Sequence, residues 1–184
     1  MQNTLIKQDI VVQKANIKAR IESVDFECVV YKLMHDEDGP DWTLDECDTF
    51  VDLYKKYLFL NAVYPELNLP PTKEIDTVWH DHIFDTSKYM VDCDNIFGYF
   101  FHHYPYFGLN GAEDAKNLAD SFEITKLLFK EHFEIDLMLL GGQVMDCRDD
   151  CVSIPCGGPP NIGNMTELDR AKLLAALPRP KMNR

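Results

Sequence analysis

Four of the six histidines in this chain of 184 residues lie between Pro70 and Gly108. This stretch, called the histidine segment below, also contains a tryptophan, a cysteine and several carboxylates. Neutral imidazoles combined with a carboxylate are ligands that suit zinc, or non-haem iron through a two-histidine, one-carboxylate face with open positions. The histidine segment is therefore the candidate functional site of the chain.

Helical spacing decides which of these side chains can meet. Asp76 and His80 are four residues apart and share one face of a helix, whereas His80 and His82, two residues apart, point to nearly opposite sides. The residue types predict an iron or zinc site built from Asp76, His80 and one of the pair His102 and His103. In this arrangement Asp76 is either the third ligand or the group that orients an imidazole.

Three further residues of the segment are candidates for catalysis. His82 can be a second ligand or a general base, and it can share one metal ion with His80 if the chain bends at Asp85-Thr86. Tyr89 and Cys93 are predicted to line the pocket, and Cys93 can replace the carboxylate as a ligand. A separate alternative is Cys–His chemistry, with Cys93 as nucleophile and His82 or His103 as base. That alternative requires surroundings that favour the thiolate.

The same residues also allow a purely structural interpretation. Trp79 and His80 can belong to a buried helix, with Asp76 accepting an imidazole N–H one turn away. The neighbouring aromatic residues would then be ordinary packing: Tyr99, Phe100, Phe101, Tyr104, Tyr106 and Phe107.

Apolar periodicity and helix-start signals run through most of the chain. Thr43 and Glu46 form a capping box, Thr72 is a suitable N-cap, Asp85-Thr86 marks a restart, and Gly98 suits a helix C-terminus. Helices are expected over residues 3–24, 26–34, 44–67, 72–84, 86–98, 112–136 and 166–177. The fold class is all-α, a compact bundle of about five to seven helices.

The chain is expected to divide into three parts. Residues 1–141 form one helical domain, 142–165 an irregular linker rich in Cys, Gly and Pro, and 166–184 a basic tail with a short helix. The linker contains Cys147, Cys151 and Cys156, whose spacing is not that of a zinc knuckle. They can hold a soft metal, form a redox-labile disulfide or remain free thiols.

Charge limits the partners of the protein. The net charge is −13, and so acidic a surface repels phosphate backbones, which argues against nucleic acid as a partner. The tail carries five Lys or Arg against two Asp or Glu. It can therefore dock on its own domain, on a second copy or on another protein.

Hydropathy argues against a membrane protein. No apolar run approaches the roughly 20 residues that a membrane-spanning helix needs. The first residues lack the basic region and apolar core of a secretion signal. We expect a cytoplasmic protein without a membrane partner.

The histidine segment resembles a known family. Asp76-x2-Trp79-His80-x-His82-Ile83, Thr86-x2-Tyr89-x2-Asp92-Cys93, Phe97-Gly98 and His102-His103-x-Pro105 are similar to the pattern of the glycine-rich domain-containing proteins. The similarity covers about residues 70–108, and more loosely 44–67. It implies that the histidines, Asp76, Trp79, Tyr89 and Cys93 act as one unit, in a domain whose function is poorly known.

The chain also departs from that family. Plant members are associated with stress and developmental responses, and some carry an RNA-binding segment. This chain is short and acidic and contains only nine glycines, so the RNA-binding inference does not transfer.

Two hypotheses follow from the sequence. The leading one is a helical metal-binding protein, an iron or zinc enzyme acting on a small molecule or peptide. The rival is a non-catalytic interaction domain with structural histidines, whose linker and tail engage a partner.

Overall fold

The computed structural model describes residues 2–36, 39–140 and 152–153. In this part of the chain the fold is mostly helical, which confirms the predicted all-α class. Its helices are α1 (Gln2–Glu22), α2 (Glu27–His35), α3 (Leu44–Val63), α4 (Lys73–Phe84), α5 (Thr86–Phe97), α6 (Ala112–Phe133) and a 3-10 helix (Leu137–Leu140). Two short strands, β1 (His103–Tyr104) and β2 (Val152–Ser153), pair antiparallel with His103 opposite Ser153.

The predicted helix starts are confirmed by hydrogen bonds to the capping side chains. Thr43 and Glu46 complete a capping box at the start of α3. Thr72 accepts from the backbone N–H of Ile75 at the start of α4. Asp85 alone separates α4 from α5, and its carboxylate accepts from the first turn of α5. The two helices that carry most of the histidine segment therefore meet at a single residue, Asp85, which caps the start of α5.

Helix α3 is the centre of the core and packs against α1, α2 and α4. The apolar residues of α3 recur at helical spacing, and five of them are buried: Leu53, Tyr54, Tyr57, Leu58 and Leu60. Burying each such side chain stabilises the fold by roughly 1.5–3 kcal/mol. The hydroxyl of Tyr57 also donates to the carbonyl of Leu69 at 2.8 Å, which fixes the connection from α3 to α4.

Helix α6 differs from its predicted form. It ends at Phe133 rather than residue 136, because Glu134 adopts a left-handed conformation with φ of 59°. The apolar pattern of this helix includes Ile124 and Leu127 and would place them in the core, but they are 39% and 67% exposed. Each lies two residues beyond a buried position, about 200° around the helix, and so faces away from the core.

Several sequence predictions concern residues outside the described part. These are the tail helix over 166–177, the three linker cysteines Cys147, Cys151 and Cys156, and all of the 142–165 linker except the backbone of Val152–Ser153. Among the helices that the structure describes, none has the length and apolar character to cross a membrane.

Candidate metal site

Three ligand atoms converge where β1 crosses the first half of α4. On α4, Nε2 of His80 lies 3.5 Å from Oδ2 of Asp76, one turn earlier. His103 comes from β1 and places its Nε2 at 2.9 Å from Nε2 of His80 and 3.3 Å from Oδ1 of Asp76. Metal–ligand bonds of about 2.0–2.2 Å leave the donors of one ion roughly 3 Å apart. Asp76, His80 and His103 thus form a group that could hold a metal ion.

The close approach of the two imidazoles requires a proton or a metal ion between their Nε2 atoms. Both Nε2 atoms carry lone pairs in the tautomer that binds a metal, and these lone pairs repel each other at 2.9 Å. A proton on one nitrogen relieves this repulsion as N–H···N, and a metal ion relieves it by bonding to both. The carboxylate of Asp76 adds negative charge on the same side. The arrangement is therefore compatible with two neutral imidazoles that share one N–H···N hydrogen bond, and equally with a metal ion bonded to both nitrogens.

The group is buried at its base and open at its edge. The side chain of Asp76 is 5% exposed and that of His103 15%, whereas that of His80 is 43% exposed. The exposed edge at His80 is the side from which water or a substrate group could reach an ion held by these three residues.

A buried chain of hydrogen bonds positions His103. The indole N–H of Trp79 donates to the hydroxyl of Tyr89 at 2.9 Å, and that hydroxyl donates to the carbonyl of Phe101. The ring of Phe101 stacks on Trp79 with centroids 5.0 Å apart, and Trp79 meets His103 edge-on at 4.6 Å. Because Phe101 lies two residues before His103, these contacts hold the returning loop against α4.

His82 belongs to a second, separate cluster. Its side chain is 1% exposed, its Nε2 lies 2.8 Å from Oδ2 of Asp92, and its Nδ1 lies 3.1 Å from the hydroxyl of Tyr54. Lys88 pairs with the same carboxylate of Asp92. Burial lowers the pKa of His82, although the neighbouring Asp92 acts in the opposite direction. A neutral His82 then donates to Asp92 and accepts from Tyr54, so that the cluster joins α3, α4 and α5.

The predicted catalytic residues do not belong to the three-residue group that could hold a metal ion. His82, Tyr89 and Cys93 are at most 2% exposed and lie in the core. Burial raises the pKa of the Cys93 thiol to about 12, which disfavours the thiolate that nucleophilic attack requires. The catalytic roles of His82, Tyr89 and Cys93 stay predictions.

Of the two adjacent histidines, His103 joins the group and His102 does not. His102 is half-buried, and the centroid of its ring lies 4.9 Å from that of Phe100.

The partners of His82 were not predicted from the sequence. Lys88 and Asp92 have the spacing of a helical ion pair, which is a usable signal. Nothing in the sequence indicates Tyr54, which lies 28 residues before His82.

Thiol labelling tests the inertness of Cys93. We expect iodoacetamide at neutral pH to leave Cys93 and the buried Cys47 unmodified in the folded protein, while the half-buried Cys28 reacts faster. Burial raises the pKa of Cys93 to about 12 and that of Cys47 to about 11, so both stay protonated. Peptide mass spectrometry gives the modified fraction at each cysteine. Labelling of Cys93 ahead of Cys28 would contradict this and favour Cys–His chemistry.

Unfolding at different pH values tests the neutral state of His82. Because its pKa is lower in the folded than in the unfolded chain, the unfolded state binds more protons below about pH 6.5. Stability should therefore fall as the pH decreases from about 7.5 to about 5.5. The pKa of His132 is lowered as well, and this residue contributes with the same sign.

Urea unfolding of the wild-type protein, His82→Gln and His82→Gln/His132→Gln measures these contributions. His82→Gln should lose about 1–3 kcal/mol at neutral pH, because Asp92 and Tyr54 lose a buried partner. It should also lose less stability on acidification than the wild type, and the double variant less again. An equal pH dependence in all three proteins would show that His82 is not buried as a neutral imidazole.

Comparison of the chain with known protein families, with curated proteins and with solved structures gives no match. The resemblance to the glycine-rich domain-containing proteins accordingly stays a prediction.

Proposed function

We propose that the protein binds one zinc or iron(II) ion through Asp76, His80 and His103 and acts on a small molecule or peptide at the open side of this site. The observation that supports the proposal is the convergence of two Nε2 atoms and a buried carboxylate from two separate elements. A local helical pair such as Asp76 and His80 is common. The third donor, 23 residues beyond His80, gives the group its specificity.

The donor types select among metals. Magnesium and calcium prefer sets of oxygen ligands, whereas imidazole suits zinc, iron and copper. Two imidazoles and one carboxylate form the donor set of catalytic zinc sites such as His2Glu and of non-haem iron sites with a facial triad. Zinc in such a site activates water or polarises a carbonyl, and iron supplies oxygen chemistry. Either chemistry uses the exposed side next to His80.

The surroundings of the site support a preorganised receptor. Trp79 and Tyr89 are buried, and their hydrogen bonds hold the loop that delivers His103. Removal of a group that fixes ligand orientation in this way typically weakens metal binding by about 10–100-fold. We expect a loss of roughly this size when the hydrogen bonds of Trp79 and Tyr89 are removed. The chain thus supplies the rigid support that a binding site needs.

Metal binding to single-residue variants tests the proposal. Isothermal titration of chelator-treated protein with Zn²⁺, and with Fe²⁺ under anaerobic conditions, should give about one equivalent bound at the site. His80→Ala and His103→Ala should each weaken binding by at least about 100-fold, because a direct ligand is lost. Affinity should also fall as the pH decreases, because protons compete for the imidazoles.

His102→Ala is the matched control for His103→Ala. It removes the adjacent imidazole, which lies outside the group, and should leave the affinity unchanged. Equal weakening in the two variants would contradict the assignment of His103. Full binding by His80→Ala would contradict the site itself.

Removal of one hydroxyl tests how the site is positioned. Tyr89→Phe leaves the indole N–H of Trp79 and the carbonyl of Phe101 without their partner, at a cost of about 1–3 kcal/mol in the free energy of unfolding. The loop carrying His103 loosens, and we expect the Zn²⁺ affinity to fall by roughly 10-fold or more.

Tyr54→Phe provides the comparison for Tyr89→Phe. It also deletes a buried hydroxyl, but from the His82 cluster. We expect a similar loss of stability and an unchanged Zn²⁺ affinity. A fall in affinity in both variants would show that general loss of stability, rather than the position of His103, governs binding.

A further inference from the structure

A cleft of about 340 Å³ lies between α1, α3 and α6. It has no lining residue in common with the Asp76, His80 and His103 group. Its volume is within the range of clefts that bind small molecules, about 300–1,000 Å³. Three apolar side chains, Ile21, Phe59 and Phe133, and three lysines, Lys18, Lys55 and Lys56, contribute to its lining. The cleft thus combines an apolar surface with cations.

The apolar part of the cleft is preformed. Ile21 is 2% exposed and belongs to the core. The rings of Phe59 and Phe133 meet edge-to-face with centroids 5.7 Å apart. The ammonium group of Lys56 lies 5.8 Å from the centre of the Phe133 ring, so its stem lies along the aromatic surface. A flat or extended apolar group could therefore bind beneath the charges.

The lysines exceed the carboxylates that neutralise them. Lys55 pairs with Glu22 and Lys56 with Asp52, but these two carboxylates are 54% and 59% exposed. Exposed ion pairs of this kind contribute only about 0–1 kcal/mol, so an incoming anion can displace them. Lys18 forms no ion pair with any residue that the structure describes. One excess positive charge therefore remains at this cleft.

His132, which also lines the cleft, adds no charge at neutral pH. Burial lowers the pKa of His132, and Lys14 lowers it further. Its Nε2 lies 2.7 Å from the hydroxyl of Tyr64, which occupies that nitrogen. The concentration of positive charge is notable because the chain as a whole has a net charge of −13.

We propose that this cleft is a binding site for a small amphipathic carboxylate. The apolar body of the ligand lies on Phe59 and Phe133, and its carboxylate replaces Glu22 and Asp52 as the partner of the lysines. Lysine ammonium groups are point charges rather than planar forks, so they suit a carboxylate without requiring bidentate geometry. Binding here is independent of the metal.

Naphthoate is a suitable probe, and its neutral amide, naphthamide, is the matched control ligand. Isothermal titration is carried out on the full chain in the presence of a chelator and repeated with His80→Ala, so that a metal ion cannot bind the carboxylate. We expect saturable binding of naphthoate at one site, equal in wild type and His80→Ala. Naphthamide should bind about 10-fold more weakly, because it lacks the charge-assisted contact with lysine.

Lys18→Gln locates the binding site. Lys18 is exposed, so its replacement should leave the fold intact, and we expect naphthoate to bind about 10-fold more weakly. Lys116→Gln, at a lysine that is 73% exposed and does not line the cleft, should bind like wild type. Absence of saturable binding, equal affinity for naphthamide, or equal affinity in the two lysine variants would overturn the proposal.

Discussion

The hydroxyl of Tyr89 connects the elements on which the candidate site depends. It accepts the indole N–H of Trp79 from α4 and donates to the carbonyl of Phe101 in the loop that follows α5. All three groups are buried, so none can exchange its partner for water without a cost of about 1–3 kcal/mol. This interaction holds the loop in the one position where His103 meets His80 and Asp76.

Helix α4 presents functional candidates on two opposite sides, because residues four apart share a face of a helix and residues two apart do not. Asp76 and His80, four residues apart, face β1 and together with His103 form the group that could hold a metal ion. His82 points to the other side, where Asp92 and Tyr54 bind both ring nitrogens. A buried polar cluster of this kind contributes little net stability, but breaking it is costly, so it favours one register of α3, α4 and α5. The His82 cluster thus fixes the position of the helix that carries Asp76 and His80.

Local signals in the sequence predict much of this arrangement. The caps at Thr43 and Asp85 and the pairing of Asp76 with His80 depend on residues at most four positions apart, so helical geometry determines them. The choice of His103 over His102 depends on the stacking of Phe101 against a distant tryptophan, and the contact of His82 with Tyr54 on packing between helices. Neither of these long-range contacts leaves a periodic pattern in the sequence from which it could be predicted. The cleft that contains Phe59 likewise forms only when α1, α3 and α6 pack together, so no local pattern in the sequence predicts it.

X-ray absorption at the zinc edge, on protein carrying one equivalent of zinc, tests the central claim most directly. If Asp76, His80 and His103 bind the ion, the spectrum will show only nitrogen and oxygen donors at about 2.0–2.2 Å, with the outer-shell signal of two imidazoles. The signal of one imidazole will be lost in His103→Ala. A sulfur shell at about 2.3 Å, or a spectrum unchanged in that variant, would place the metal on cysteines or elsewhere and contradict the account.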